Sequence, residues 1–355
     1  MTANAPRDPV EALIASKWSQ VTGVPLDSIH DDFFDAGNSS LEALKLMELL
    51  REEFGPDLSI DAIFNQPTVA GLAELVRAGG SHRRYAFTLQ KGDGIPLILG
   101  PGLGGGPAYV SKLAVPELGR PVVSVLTRGI HGEQRPFDTS AETSRHLLSS
   151  LSEAGIRGPV HFMGHCMGGL SVLEATRYAA EYDIEVRSVV LINTSPRTPD
   201  LTRHEMTKIR LQEIRGFVGL EEDPRVNAVP EGEPLDDTIS MVFDDVKDSD
   251  ALSESSIEPF KVRLDVYVSS WLASSSFTHQ RSEVPLHIMY DPDDLDWLYG
   301  GAFDIEGWEK LDYPNMTVDA RPGMLYANIG LPENRAAVAA YLDAQDAGTG
   351  GGHHG

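Results

Sequence analysis

Gly164-His165-Cys166-Met167-Gly168 follows the apolar run PVHFM and precedes GLSVLEATRYAAEY, whose apolar residues recur at helical spacing. A glycine two positions to either side of a nucleophilic side chain suits a tight strand-to-helix turn, where a β-carbon has no room. Such a turn presents its central residue at a helix N-terminus, which favours a thiolate over a thiol. The next backbone N–H, that of Met167, is then placed to hold an oxyanion, and the chemistry is acyl transfer. Cys166 is the sole cysteine of 355 residues, so an intramolecular disulfide and a cysteine-rich metal site are both excluded. Alone it would read as a small buried hydrophobe; the flanking glycines favour chemistry. A second oxyanion donor is expected from the loop Gly100-Pro101-Gly102-Leu103-Gly104-Gly105-Gly106, with Gly102 and Leu103 as candidates. Dinucleotide binding is disfavoured there, because Gly-x-Gly-x-x-Gly would need glycine where Pro107 stands.

A second reactive position lies in DDFFDAGNSSLEALKLMELL. Ser39 can cap a helix while Glu42 reaches back, a capping box. Ser40 then takes the first helical position, where the positive end of the helix dipole favours a phosphodiester. The plainer alternative is that both serines only cap the helix.

Different elements must position these two sites. Residues 8 to 78 contain DPVEALIASKWSQVTG, LEALKLMELLREEF and TVAGLAELVRA, which predict a bundle of about three to four helices. The first unit is therefore placed at 1–78. Residues 79–94, GGSHRRYAFTLQKGDG, predict an exposed linker. From 95 to 345, IPLILG, PVVSVLT, PVHFMGH, SVVLIN and VPLHIMYD alternate with helical segments, which predicts an α/β fold with a mainly parallel sheet. Residues 197–280 break that rhythm with acidic, helical sequence and predict a lid, and 346–355 predict a flexible tail. A net charge of −24 disfavours nucleic acid as a partner. With no run of 18 apolar residues and no signal-peptide pattern, no membrane partner is expected and the expected location is cytoplasmic.

The run Phe33-Phe34-Asp35-Ala36-Gly37-Asn38-Ser39-Ser40-Leu41 resembles the phosphopantetheine attachment motif of acyl and peptidyl carrier proteins, with Asn38 where that family usually has its second glycine. The resemblance spans residues 8 to 78 and implies 4'-phosphopantetheine carried covalently on Ser40. Residues 95 to about 343 resemble the thioesterase domains that end nonribosomal peptide synthetases, on the glycine-rich loop, TRGIHGEQRPFDTS, GPVHFMGHCMGG, RSVVLINTSP, the lid, and the last strand and helix. The pair implies an α/β-hydrolase fold with a helical lid, preceded by a small four-helix carrier domain. It also implies upstream condensation and adenylation domains, a phosphopantetheinyl transferase and a peptidyl thioester as partners.

The chain departs from that family at the site. Most members use serine where this chain has Cys166. The family's acid falls at Asn193, and the family's histidine falls near Gly323, Met324 and Leu325, with no histidine from 288 to 352. His161 and His287 lie in strands, His279 precedes one at the far end, His30 and His82 belong to the carrier and linker, His165 should point away and His146 is expected on a surface flank. That leaves His131 and His204. His204 is preferred, because the strand ending at Asn193 should neighbour the elbow strand. Asp291, at the end of VPLHIMYD, is the expected acid, with Asp293, Asp294 and Asp296 close behind; alternatively Asn193 orients the imidazole. The resemblance implies peptide release through a Cys166 thioester. Cysteine members of the family include some that close four-membered lactam or lactone rings. Hydrolytic release, or a degenerate domain that only docks the carrier, stand as alternatives.

Overall fold

The structure is a computed structural model that describes the chain apart from residues 1–4, 35, 39, 56–57, 59–61, 78–84, 107–109, 111, 113–117, 131, 133, 218, 249–253, 293–294, 297–300, 303, 324–328 and 349–355. The chain forms two compact units, Met1–Thr88 and Leu89–Gly355.

The first unit holds helices α1 (Pro9–Thr22), α2 (Ser40–Phe54), α3 (Ala62–Asn65) and α4 (Val69–Arg77). Asp8 caps α1 by accepting from the Glu11 N–H at 2.9 Å, Pro9 sits at the first turn, and Gly23 ends the helix at φ 73°. Ile14, Trp18, Phe33, Leu46, Met47, Leu50, Ile63 and Leu72 close the core. Glu11 is buried beneath Arg7 and Arg77. The Arg7 hydrogen bonds are the leading cause that holds its carboxyl down at about 2, and Arg77, donating to the same carboxylate at 3.1 Å, fastens the end of α4 to the start of α1.

The second unit is built on a seven-stranded sheet. Its strands are β1 (Ala86–Gln90), β2 (Leu97–Leu99), β3 (Val122–Val125), β4 (Gly158–His165), β5 (Ile184–Ile192), β6 (Leu286–Tyr290) and β9 (Met316–Ala320). The order is β1-β3-β2-β4-β5-β6-β9, and the pairs from β3 to β9 are parallel. A short ladder of β7 (Leu295–Asp296) with β8 (Gly301–Ala302) stands apart. Strands such as β2, buried along its length, read as continuous apolar runs because helices cover both faces of a parallel sheet.

Two boundaries differ from expectation. The segment 79–94, expected to be an exposed linker, contains β1, whose Ala86 and Phe87 are buried. Five residues between basic and glycine-rich flanks are too few to show a period, so only the sheet reveals them. Residues 346–348, expected in the tail, belong instead to α12 (Pro332–Gly348), where Asp346 meets the guanidinium of Arg120 and the ring of His161.

Between β5 and β6 the chain forms α7 (Arg203–Phe217), α8 (Pro224–Ala228), α9 (Asp236–Asp248) and α10 (Glu254–Ser275). Arg203 ties this insertion down by pairing with Asp138 and Asp265 and donating to Ser269. The stem that enters it is capped by ring N–H groups. Trp308 donates to the Thr194 carbonyl at 2.8 Å, His279 Nε2 to that of Pro196 at 2.5 Å, and Trp271 to that of Pro199 at 3.0 Å. The Tyr313 hydroxyl then donates to His279 Nδ1 at 3.0 Å.

Candidate active site

β4 lies between β2 and β5, and helix α6 (Gly168–Ala175) begins three residues after its last residue, His165. Cys166 sits in that turn at φ 53°, a left-handed conformation that costs a residue with a side chain ~1–2 kcal/mol. The surrounding backbone enforces it. The Cys166 N–H donates to the Ile192 carbonyl at 2.9 Å, and the Gly169 N–H donates to the Cys166 carbonyl at 3.0 Å. A β-carbon on Gly164 would fall 2.5 Å from the Gly169 Cα; on Gly168, 2.2 Å from the Pro101 oxygen; on Gly169, 2.1 Å from Thr194 Oγ1. All three glycines are therefore demanded by close approach.

The contact between Gly168 and Pro101 brings the glycine-rich loop against the elbow, with the Gly102 Cα 3.0 Å from the same β-carbon position. Gly102, one of the two candidate donors, has its N–H committed to the Gly106 carbonyl at 2.7 Å, while Gly105 donates back to Gly102 at 2.9 Å. Gly102 therefore forms the turn and is not available as a donor. The backbone N–H groups of Leu103 and Met167 donate to no acceptor among the described residues.

Asn193 directly follows β5 at φ 43° and is buried. Its Oδ1 accepts from the Asp291 N–H at 2.9 Å, and its own N–H donates to the Met289 carbonyl at 2.9 Å, so the two strand ends are joined. Asp291 is buried at the end of β6, on the same edge of the sheet as the elbow. The structure thus brings Cys166, Asn193 and Asp291 to neighbouring strand ends. It does not bring His204 to them. The His204 ring faces the Val229 carbonyl at 3.4 Å and the Glu231 carboxylate at 4.0 Å, because the chain leaving α8 passes over the start of α7. Its contacts include none of Cys166, Asn193 or Asp291, so the geometry expected of a base is not found at this residue.

The other histidines are accounted for individually. His161 lies between Ser188 Oγ at 2.8 Å and Asp346 at 3.0 Å, and His287 meets Thr317 at 2.8 Å and stacks on Tyr341. His165 is buried, and burial pulls it down to about 4, so it is neutral at neutral pH. His146, expected on a surface flank, is half-buried with Nε2 3.2 Å from the Leu126 carbonyl, and burial brings it to about 4. His131, Asp293, Asp294, Met324 and Leu325 lie outside the described residues, as does Ser39, and Asp296 is described only as part of β7.

A residue that sequence reasoning missed is Tyr267, on α10. It joins Cys166 and Met167 in one apolar cluster with Met206, Leu211 and Trp271. In an amphipathic helix a tyrosine looks like ordinary core, so its position in sequence gives no warning.

A family profile described as "Thioesterase domain" matches residues 95–343, and one described as "Phosphopantetheine attachment site" matches residues 12–76. The chain belongs to the thioesterase domain family. Its thioesterase domain follows a carrier domain that bears covalent 4'-phosphopantetheine. The chain is 30% identical over 200 residues to a dimodular nonribosomal peptide synthase of Bacillus subtilis, a match covering 55% of this chain and 8% of that protein. It is 28% identical over 258 residues to indigoidine synthase of Streptomyces lavendulae, covering 70% of this chain and 20% of that protein. It therefore spans a small part of the length of these relatives. A solved four-domain nonribosomal peptide synthetase, bound to AMP and glycine, shares the fold with a TM-score of 0.58 and 24% identity, over 96% of this chain and 26% of that one.

The carrier's residues fit the phosphopantetheine group. Helix α2 is 15 residues long and opens on Ser40, so a phosphodiester on that serine would lie at the positive end of the helix dipole. Gly37, at φ 86°, makes the preceding turn. Asn38 is not among the residues of positive φ; its side-chain amide instead donates to the Phe33 carbonyl at 2.8 Å. Phe33 is itself anchored edge-on against Trp18 at 4.7 Å.

Proposed function

We propose that this chain releases an acyl chain from a nonribosomal peptide synthetase by transfer from Ser40 of the carrier domain to Cys166 of the thioesterase domain. The observation that carries the reading is Cys166 at φ 53° in an elbow between three obligatory glycines, beside two unspent backbone N–H donors. When bound, phosphopantetheine supplies a terminal thiol that holds the acyl group as a thioester. Ser40 anchors it. The Cys166 thiolate attacks the acyl carbonyl, and the N–H groups of Met167 and Leu103 stabilise the oxyanion until the carrier sulfur leaves. The acyl group then sits on Cys166 as a thioester, and an amine or hydroxyl of the same peptide, or water, displaces it. Asp291 and Asn193 at the neighbouring strand ends act on the polar side of this step.

The reading extends to ring closure. Exchange of one thioester for another is nearly energy-neutral, and a thioester stays more electrophilic toward amines than the oxygen ester a serine would form. Resemblance to the thioesterase of the sulfazecin (monobactam) synthetase makes a four-membered lactam the ring to test first. The partners are upstream condensation and adenylation domains that deliver the peptidyl thioester, and a phosphopantetheinyl transferase that modifies Ser40.

Loading the carrier with candidate peptidyl-phosphopantetheines, then following intact mass and released product, tests the reading. A transient acyl adduct on Cys166 and a cyclic product are expected. A linear acid alone would replace cyclisation by hydrolysis, and no adduct and no release would indicate a domain that only docks the carrier.

A further inference from the structure

The residues that leave β5 support the turn that holds Cys166. The Ile192 carbonyl accepts from the Cys166 N–H at 2.9 Å and from the Thr194 hydroxyl at 3.3 Å. Thr194 is fully buried, and its Oγ1 lies 2.1 Å from where a β-carbon on Gly169 would stand, so its side chain fills the space that this glycine leaves beside the turn. A shift of residues 192 to 196 therefore reaches the left-handed backbone of Cys166 through direct contacts.

Beyond Asn193 the carbonyls of this segment are held by side chains remote in sequence. Trp308 donates to that of Thr194 at 2.8 Å and His279 to that of Pro196 at 2.5 Å. The two donors differ in kind. An indole offers one N–H and nothing more, whereas His279 is bound at both nitrogens. A carbonyl can only accept, so Nε2 carries the proton, and Nδ1 accepts from the Tyr313 hydroxyl at 3.0 Å. Phe277, Trp308 and Tyr313 stand edge-on to the imidazole, with centroids at 4.8, 5.3 and 5.9 Å, and fix its plane. Burial is the leading cause that lowers the pKa of His279; the Pro196 carbonyl opposes it, and Arg177 and Arg197 lower it further. The ring is therefore neutral at neutral pH, the state in which one nitrogen donates while the other accepts. Packing alone would be served by phenylalanine, which fills the same space without bridging Tyr313 to Pro196.

We propose that His279 is a positioning residue for Cys166: by bridging the Tyr313 hydroxyl to the Pro196 carbonyl, it holds residues 192 to 196 in the placement that aims the thiol. The proposal rests on Cys166 being the nucleophile. His279 acts on no reacting atom; it acts through Pro196, Thr194 and the Ile192 carbonyl.

The test uses the full chain with Ser40 unmodified, so that Cys166 is its one thiol. p-Nitrophenyl acetate is the acylating probe: its ester C–O bond breaks as the C–S bond forms, and the burst of p-nitrophenolate gives the acylation rate. Iodoacetamide alkylation of Cys166 is the companion measurement, because it forms no oxyanion, and a thermal melt shows which variants are folded at the assay temperature. His279→Phe, which loses both hydrogen bonds, is expected to slow acylation by about 10²-fold and to change alkylation much less. His279→Gln, with an N–H for Pro196 and an oxygen for Tyr313, is expected to recover most of the rate. Tyr313→Phe leaves the imidazole and removes one hydrogen bond, and a loss of up to about tenfold is expected. A folded His279→Phe within about threefold of wild type, equal losses with the two reagents, or His279→Gln no better than His279→Phe would each overturn the proposal. If His279→Phe does not fold, the other two variants decide: a Tyr313→Phe rate equal to wild type, or a folded His279→Gln as slow as about 10²-fold below it, would overturn the proposal. A wild-type burst no larger than that of Cys166→Ala ends the nucleophile assignment and the positioning role with it. A Cys166-dependent burst that ignores all three variants overturns the positioning role alone.

Discussion

Two residues proposed to carry the chemistry sit at helix starts, and the backbone treats them differently. At α2 the left-handed residue is Gly37, which has no neighbour within 4 Å of where a β-carbon would lie, and Ser40 follows as the first helical residue. At α6 the left-handed residue is Cys166 itself, enclosed by glycines that touch Pro101, Thr194 and each other. A serine that must only be reached by a modifying enzyme needs an accessible helix start. On the reading proposed here, a thiol that attacks a carbonyl needs to be aimed, and aiming is where strain is tolerated.

The comparison can be broken most sharply at the reactive residues. Ser40→Ala is expected to abolish addition of phosphopantetheine, read as lost mass gain with coenzyme A and a promiscuous transferase, and Cys166→Ala to abolish release while leaving that mass gain intact. Retained mass gain in the serine variant would remove the first assignment. Cys166→Ser keeps the geometry and changes the ester, so hydrolysis should survive better than cyclisation; equal loss of both would mean that electrophilicity is not why cysteine is there.

Glycine substitutions come next. Gly168→Ala sets a methyl 2.2 Å from the Pro101 oxygen, and the forced shift should cost about 1–3 kcal/mol and displace the glycine-rich loop. Gly37→Ala meets open space and pays only for its positive φ, about 1–2 kcal/mol, with release otherwise intact. Calorimetry on both variants decides the point, and equal effects on release would erase the contrast. The smallest effect is expected at Glu11. Its folded carboxyl is held down at about 2 against an ordinary 4.5, so its stabilising contribution is fully present above about 4.5 and fades as pH falls toward about 2. Glu11→Gln should flatten the acid limb of the carrier's unfolding curve and leave the neutral region nearly parallel to wild type.

The sequence made the elbow legible because the constraint is local: glycines two residues either side of Cys166 are what a crowded strand-to-helix turn requires. The start of α2 was legible for the same reason, from Gly37 and Ser40. What escaped depends on loops closing on partners far away in the chain. Nothing local to Gly102 announces that its N–H turns back to Gly106 while that of Leu103 does not. The placement of His204 was argued from elimination of the other histidines and then from strand order, and that order is as expected, with β5 beside β4. The segment after α8 nevertheless meets the ring, and no pattern around His204 encodes that meeting. Tyr267 was hidden because one apolar face of α10 serves both as packing and as the roof of the site.

The stem between β5 and α7 carries a mechanical consequence. Successive carbonyls at Thr194, Pro196 and Pro199 are gripped by Trp308, His279 and Trp271, so the stem is mounted like a bracket although it pairs with no strand in the sheet order. Leverage applied by the insertion is taken up at this mount, before it reaches Asn193 and the strand end beside Cys166. The helices above can therefore change posture to admit or expel a cargo while the sheet edge that does the chemistry keeps its alignment.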